Sequence, residues 1–264
     1  MSRRTPFTFD RASLIGAPLT IAVIVGAHLF EGGRVRTLLQ PTAAVVVFGG
    51  TAAAMLLSFP FSALGRALRA SVGAFAARPR ARQRLVSQFT EYAMRVRRKS
   101  VLALESEIAA TDDPFLARAL TMIVDGIPAA DVRHALELDN QAREDADEES
   151  IHVLETAAGY TPTLGILGAV LGLIHVMEHL SAPATLGPGI AVAFVATVYG
   201  VGAANLVLLP LATKLRSIAR ASALTRDLII EGAGAIQQSM PPRLLEQHLN
   251  AFVSAHEDER KAVA

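Results

Sequence analysis

Residues 14–30, 41–59, 161–177 and 190–211 form four stretches free of Asp, Glu, Lys and Arg, and each is apolar around its whole circumference rather than on one stripe. A run of that kind and length predicts a helix surrounded by lipid, which needs about 20 apolar residues to cross the hydrocarbon. Pro18 sits in the first turns of the first stretch, a position a membrane helix tolerates. Pro41 opens the second and Pro60 is expected to end it. Gly49, Gly50, Thr51, Ala52, Ala53 and Ala54 leave one side of that helix nearly smooth, so a neighbour can approach closely. The third and fourth stretches fill residues 156–210, with Gly165, Gly168 and Gly172 in one and Gly200, Gly202 and Asn205 in the other. The Gly- and Pro-rich linker SAPATLGPG at 181–189 is expected to be a loop between them, and EGGRVRTLLQ at 31–40 a loop between the first two.

Between the second and third stretches the pattern changes to amphipathic helices: LVSQFTEYAMRV, then FLARALTMIVDG, then AADVRHALELDNQAREDADEESIHVLETA. Asp113 before Pro114 predicts a cap for the middle one, and Gly126 with Pro128 a break after it. Beyond Pro210 come Lys214, Arg216 and Arg220, the amphipathic LTRDLIIEGAGAIQQ, a break at Pro241 and Pro242, and a last helix in RLLEQHLNAFV. The end, SAHEDERKAVA, is expected to fray. No stretch alternates with a period of two, so the expected fold is all-α: an integral membrane protein with four transmembrane helices and a helical cytoplasmic domain between spans 2 and 3. The division is 1–13 as a cytoplasmic N-terminus, 14–60 as spans 1 and 2, 61–155 as the cytoplasmic domain, 156–213 as spans 3 and 4, and 214–264 as cytoplasmic C-terminal helices.

Composition agrees, with 52% hydrophobic residues and a mean hydropathy of +0.38. Arg3, Arg4 and Arg11 ahead of an apolar run mimic a signal peptide, but no small-x-small site follows, and the helix is expected to be retained. Basic residues gather at the N-terminus, in 61–155 and after 210; the 31–40 loop holds only Arg34 and Arg36, and the 181–189 linker none. Both termini and the middle domain are therefore expected in the cytoplasm, which an even number of spans permits. A net charge of +1 gives no general pull toward nucleic acid, and the absence of Cys excludes thiol chemistry.

No phosphate loop, zinc-protease or nucleophile-elbow motif occurs, so no enzyme and no cofactor is expected. His175, Glu178 and His179 stand at spacings that suit a metal, but nothing supplies further ligands and polar residues belong at a span's outer end, so no metal site is expected. An ion path through lipid needs polar groups at mid-depth. The spans offer Thr51, Thr161, Thr163, Thr197, Tyr199 and Asn205 but no carboxylate. If the protein conducts protons, a partner must supply the titrating group.

TPTLGILGAVLGLI and GPGIAVAFVATVYGVGAANLVLLPLATKL resemble the last two spans of the flagellar motor stator A-subunit, the MotA/PomA family within the MotA/TolQ/ExbB proton channel group. RRKSVLALESEI, DDPFLARALTMIVDG and IEGAGAIQQSMPPRLLEQHL continue the match, as do LIGAPLTIAVIVGAHL and VVFGGTAAAMLLSFP, over residues 13–252. The resemblance implies a stator in the bacterial cytoplasmic (inner) membrane, a homopentamer around a dimer of a MotB-like B-subunit whose membrane helix carries the proton-accepting Asp. It also implies proton flux turned into torque on the flagellar rotor switch protein, with membrane lipid around the spans. Two functional prolines fall on Pro162, at the start of the third span, and Pro210, at the end of the fourth, and the rotor-facing charges on Arg97 and Glu105. Sodium-driven relatives carry a Thr where this chain has Ala169, while the fourth-span hydroxyl is present as Thr197; the missing oxygen ligand implies proton coupling. Ser100 departs from the Gly that relatives commonly place before the LALE run. A TolQ/ExbB-like envelope energiser, which has three spans, a sodium-driven stator and a non-conducting scaffold are the competing readings.

Overall fold

The computed structural model describes residues 11–75, 82–179, 181 and 183–263. Residues 1–10 with Arg3 and Arg4, and the basic positions Arg78 and Arg80, lie outside the described residues. Every regular element among the described residues is helical.

Helix α1 spans Arg11–Phe30 and contains Pro18. Gly32, at φ 81°, turns the chain into the single turn α2, Val35–Leu38, so the 31–40 loop is partly helical. Pro41 occupies the first position of α3, Pro41–Ala44, where its missing N–H costs nothing. A π turn over Val45–Gly49 leads into α4, Gly50–Ser58. Phe59, at φ −134° and ψ 145°, ends this helix because the ring of Pro60 pushes the residue before it out of the helical region. The helical run from α3 through α4 therefore begins at Pro41 and stops before Pro60.

Helix α5, Phe61–Gly73, follows and buries Ala63, Ala67 and Ser71, one residue per turn. Then come α6, Arg82–Lys99; a 3₁₀ turn, Val101–Leu104; α7, Glu105–Ala110; and α8, Pro114–Val124. Asp113 caps α8 as expected, its Oδ1 accepting from Phe115 N at 3.0 Å and Leu116 N at 3.4 Å. Gly126, at φ 73°, makes the break before α9, Ala129–Glu178. The remaining helices are α10, Pro183–Ala203; a π turn, Ala204–Leu208; α11, Leu209–Gln237; and α12, Pro242–Val263.

Four expectations need correction. Pro162 does not begin a helix; it lies inside the 50-residue α9. Pro210 does not end one; it is the second residue of α11, which runs on to Gln237. The π turn explains the second case. Leu209 N–H reaches back five residues to Ala204 O, and the wider turn relieves the clash that a proline ring makes with the carbonyl four residues before it. Asn205 Nδ2 donates to Val201 O at 3.0 Å, supplying a donor where the ladder changes register. Thr51 donates to Val47 O at 2.6 Å beside the other π turn. The third correction is the 181–189 linker, most of which is the start of α10, with Pro183 at its first position and Pro188 within it. The fourth is the C-terminal tail, which continues α12 to Val263 instead of fraying.

Contacts divide the chain into two units, 1–78 with 147–218 and 79–146 with 219–264. In the first unit Met55, Ala63, Ala67, Val153 and Ala157 form one small cluster, and Ala43, Val47, Val195 and Ala196 another. Large side chains point outward instead: Leu57 is 91% exposed and Phe194 70%. That is the arrangement of helices whose outer faces meet lipid. Val35–Ser58, Ala129–Glu178 and Leu186–Gln237 are long and apolar enough to cross a membrane; the apolar part of α1, Pro18–Phe30, is shorter. The second unit is built as a soluble core is, with Leu85, Phe89, Leu104, Phe115, Leu120, Leu136, Leu228 and Leu245 buried together.

Candidate ion path and rotor-contact surface

Gly165, Gly168 and Gly172 repeat at three and four residues and therefore share one face of α9. Opposite them on α10 stand Gly200, Ala196 and Ala193 in reverse order, so the two helices run antiparallel with their backbones in contact. A methyl group on Gly165 would meet Ala196 O at 2.9 Å, one on Gly172 would meet Ala193 N at 2.9 Å, and one on Gly200 would meet Thr161 O at 2.8 Å. At these three glycines even a methyl group is too large for the seam. The small residues thus serve α9 against α10 within one chain. Gly50, 3.1 Å from Leu164 by the same measure, brings α4 against α9.

Ala169 and Thr197 each lie one residue on from the facing pair Gly168 and Ala196. On antiparallel helices one step of about 100° on each turns both residues to the same side of the pair. Both are half-buried there. The hydroxyls of Thr161 and Thr163 are engaged with their own helix, at Ala157 O and at Tyr160 O. Thr197, unlike Thr161 and Thr163, has no hydrogen-bond partner among the described residues.

Tyr199, two residues from Thr197, turns to the opposite side of α10. Its ring stacks on Phe48 with centroids 5.7 Å apart; its hydroxyl donates to Leu38 O and accepts from Gln40 N at 3.2 Å. Tyr199 therefore pins the turn that precedes the second span, and the structure does not bring it to Ala169 and Thr197. Pro162 lies at the tightest part of the seam, its Cα 3.2 Å from the position a Gly200 methyl would take.

Where the apolar part of α9 gives way to charge, Arg216 donates to Glu155 at 2.8 Å and Arg66 pairs with Glu149, tying α11 and α5 to α9. Lys214 Nζ lies 5.2 Å from the centre of the Phe75 ring. These contacts were not foreseen; the only signal was that charge begins at Glu155 and Lys214.

In the second unit Arg97 lies exposed in the last turn of α6, and Glu105 exposed in the first turn of α7, with no ion pair for either among the described residues. Glu105 lines an open cleft of about 760 Å³ together with Arg95, Arg98 and Lys99, whereas Arg97 does not. Arg95 joins the two helices by pairing with Glu91 at 2.6 Å and with Glu107; the bonds to Glu91 and then Glu107 raise its pKa above the usual arginine value. Arg133 is raised likewise, first by its bond to Glu231 at 2.8 Å. The contact from α6 to α7 turns on Ser100, which has φ 101° and ψ 170°, a region that favours glycine.

A tight helix pair, uncharged over residues 161–177 and 190–203, in an apolar unit joined in sequence to a helical unit with free surface charges, defines a membrane protein whose apolar stretches carry hydroxyls but no carboxylate. Comparison with known proteins gives that class a family. Residues 107–227 match the MotA/TolQ/ExbB proton channel family and residues 14–99 the motility protein A N-terminal family. Motility protein A of Bacillus subtilis (strain 168) is 31% identical over 247 residues, covering 93% of this chain and 92% of its own. Chemotaxis protein PomA of Vibrio alginolyticus is 28% identical, covering 93% and 96%. The fold is similar to the flagellar MotAB stator complex from Bacillus subtilis, with a TM-score of 0.86 at 31% identity over 96% of this chain and 100% of that one. It is also similar to C. jejuni MotAB, with a TM-score of 0.85 at 26% identity over 92% and 95%. The chain belongs to the MotA/TolQ/ExbB proton channel family. Within it this is a MotA-like flagellar stator subunit, a multi-pass membrane protein and not an enzyme.

Proposed function

We propose that this chain forms, with a MotB-like B-subunit, a proton path whose flux is turned into torque on the flagellar rotor. The observation that supports this reading is the apolar part of the α9–α10 pair, residues 161–177 and 190–203, where Ala169 and the unengaged hydroxyl of Thr197 lie on one side and no carboxylate occurs. A path built on this wall needs an acid from outside the chain, and a single-span partner bearing an intramembrane Asp supplies it. The association named in the related MotAB complexes supports that partner. Five copies of this chain around two of the partner give the expected assembly.

Four spans with both termini in the cytoplasm fit the basic residues around 61–155 and after 210. Helix α1 serves as the first span, since its 20 residues extend about 30 Å, the thickness of the hydrocarbon layer. The site is the bacterial cytoplasmic membrane, with 61–155 and 214–264 on the rotor side.

In this mechanism the Asp of the partner takes a proton beside Thr197, loses its charge and moves past the wall. Pro162 at the seam and Pro210 beside the π turn are the points where the wall yields, because each lacks a backbone donor. A proton crossing roughly 150 mV releases about 3.5 kcal/mol, enough for a step of mechanical work. Arg97 and Glu105 orient the contact with the rotor through exposed charge, which steers association more than it adds affinity. Proton rather than sodium coupling follows from Ala169, since a dehydrated sodium ion would lack one oxygen ligand there.

Co-expression with the candidate B-subunit tests the assignment: the two should co-purify and restore swimming to a stator-deficient strain, and Asp→Asn in the partner should stop swimming without dissociating the complex. Swimming should persist when potassium replaces sodium. Loss of swimming in potassium would overturn proton coupling, and failure to bind such a partner would overturn the stator reading.

A further inference from the structure

We propose that His175, Glu178 and His179, at the C-terminal end of α9, form a binding site for a divalent transition-metal ion, with Zn²⁺ as the reference ion. At about 100° per residue, Glu178 lies roughly 60° to one side of His175 and His179 roughly 40° to the other, so one arc of the helix carries all three. One ligand atom from each lies within 4.8 Å of the others, and all three residues are exposed. An ion reaches them without any rearrangement of the fold.

Tetrahedral zinc with bonds of about 2.0–2.2 Å holds its ligands roughly 3.4 Å apart. Exposed side chains close the difference by rotating about their own bonds.

The hydrogen bond within the cluster sets the chemistry of one ring. His179 Nδ1 lies 2.9 Å from His175 O. A carbonyl only accepts, so Nδ1 carries the proton and Nε2 keeps its lone pair for a metal. Metal-ligating histidines are commonly oriented in this way by a backbone carbonyl. The two rings, 4.4 Å apart between centroids, already lie side by side.

The charge is favourable as well. Glu178 contributes a carboxylate, the last carbonyls of α9 present the negative end of its dipole, and no Lys or Arg occurs in the sequence between Glu155 and Lys214. Two imidazoles with one carboxylate suit zinc, copper or nickel, whereas calcium and magnesium demand oxygen throughout. Water fills the fourth position. The site uses none of the residues assigned to the ion path, so it stands or falls independently of the proposed function.

The test is a zinc titration of the full-length protein in detergent, purified through a tag that contains no histidine and followed by calorimetry against a competing chelator. One zinc per chain is expected. Loss of even an outer-shell partner costs a metal site about tenfold or more. His175→Ala and His179→Ala should therefore each weaken binding by at least about tenfold, and the double variant should abolish the one-to-one phase. Glu178→Gln, which keeps the shape and removes the charge, should weaken it less. The sequence has seven histidines, and those that remain in the double variant report any background binding. A one-to-one phase that survives in the double variant, or its absence from the unaltered protein, would overturn the site.

Discussion

Ser100 offers a test in which the expected change is a gain of stability. It joins α6 to the 3₁₀ turn at φ 101° and ψ 170°, and its hydroxyl caps neither neighbour. A backbone held there by a residue with a Cβ stores about 1–3 kcal/mol. Ser100→Gly removes that strain. It adds roughly 0.5–1 kcal/mol of unfolded-chain entropy, leaving a net gain of about 0–2.5 kcal/mol, centred near 1 kcal/mol. Nothing else is lost, because Ser100 is exposed and both of its backbone bonds, from its own N–H to Val96 O at 2.9 Å and from Ala103 N–H to its O at 3.2 Å, survive the change. A thermal melt of the purified protein followed by circular dichroism should move up by roughly 2–5 °C. Ser100→Ala keeps the Cβ and hence the strain, so it should not raise the midpoint. An unchanged or lowered midpoint for Ser100→Gly, or an equal rise for Ser100→Ala, would refute the argument.

Four further substitutions probe the packing. Gly200→Ala places a methyl 2.8 Å from Thr161 O and 2.9 Å from Gly165 Cα, both backbone atoms that cannot swing away. It should cost about 2–3 kcal/mol, near the upper end for overpacking, visible as a lower melting midpoint and loss of swimming in complementation. Gly232→Ala meets the buried Phe89 ring at 2.6 Å and should cost about 1–3 kcal/mol. Gly234→Ala, whose nearest neighbour is Arg133 Nη2 at 3.8 Å, should instead stabilise α11 by about 0.5–1 kcal/mol; opposite signs in paired melts are the check. Tyr199→Phe keeps the stacking on Phe48 but removes the bonds to Leu38 and Gln40, and should cost about 1–2 kcal/mol with faster proteolysis of the 31–40 turn.

Which parts of the fold could be read in advance follows from how local their causes are. Pro60 acts on Phe59 directly, and Asp113 reaches amides two and three residues away, so both features were legible. Pro162 and Pro210 are chemically identical to Pro60 and still do not end their helices. At Pro162 the backbone is clasped against Gly200 of another helix, and at Pro210 a π turn re-phases the ladder. The first contact comes from another helix, and the second is a change of hydrogen-bond register that no residue type around Pro210 announces. Tyr199 was assigned to the ion path because of its hydroxyl, yet that hydroxyl bonds to residues about 160 positions away.

By itself the sequence determined that the chain is helical, that its apolar helices lie in a membrane, that its charge sits elsewhere and that those apolar stretches hold no carboxylate. Those conclusions depend only on residue type and period. The tertiary structure decided that the glycines of α9 fit α10, that Ala169 and Thr197 share a side while Tyr199 does not, and that Ser100 bears strain. Each of these depends on which surfaces meet, and that is set by the close approach of distant backbones rather than by the preference of any one residue.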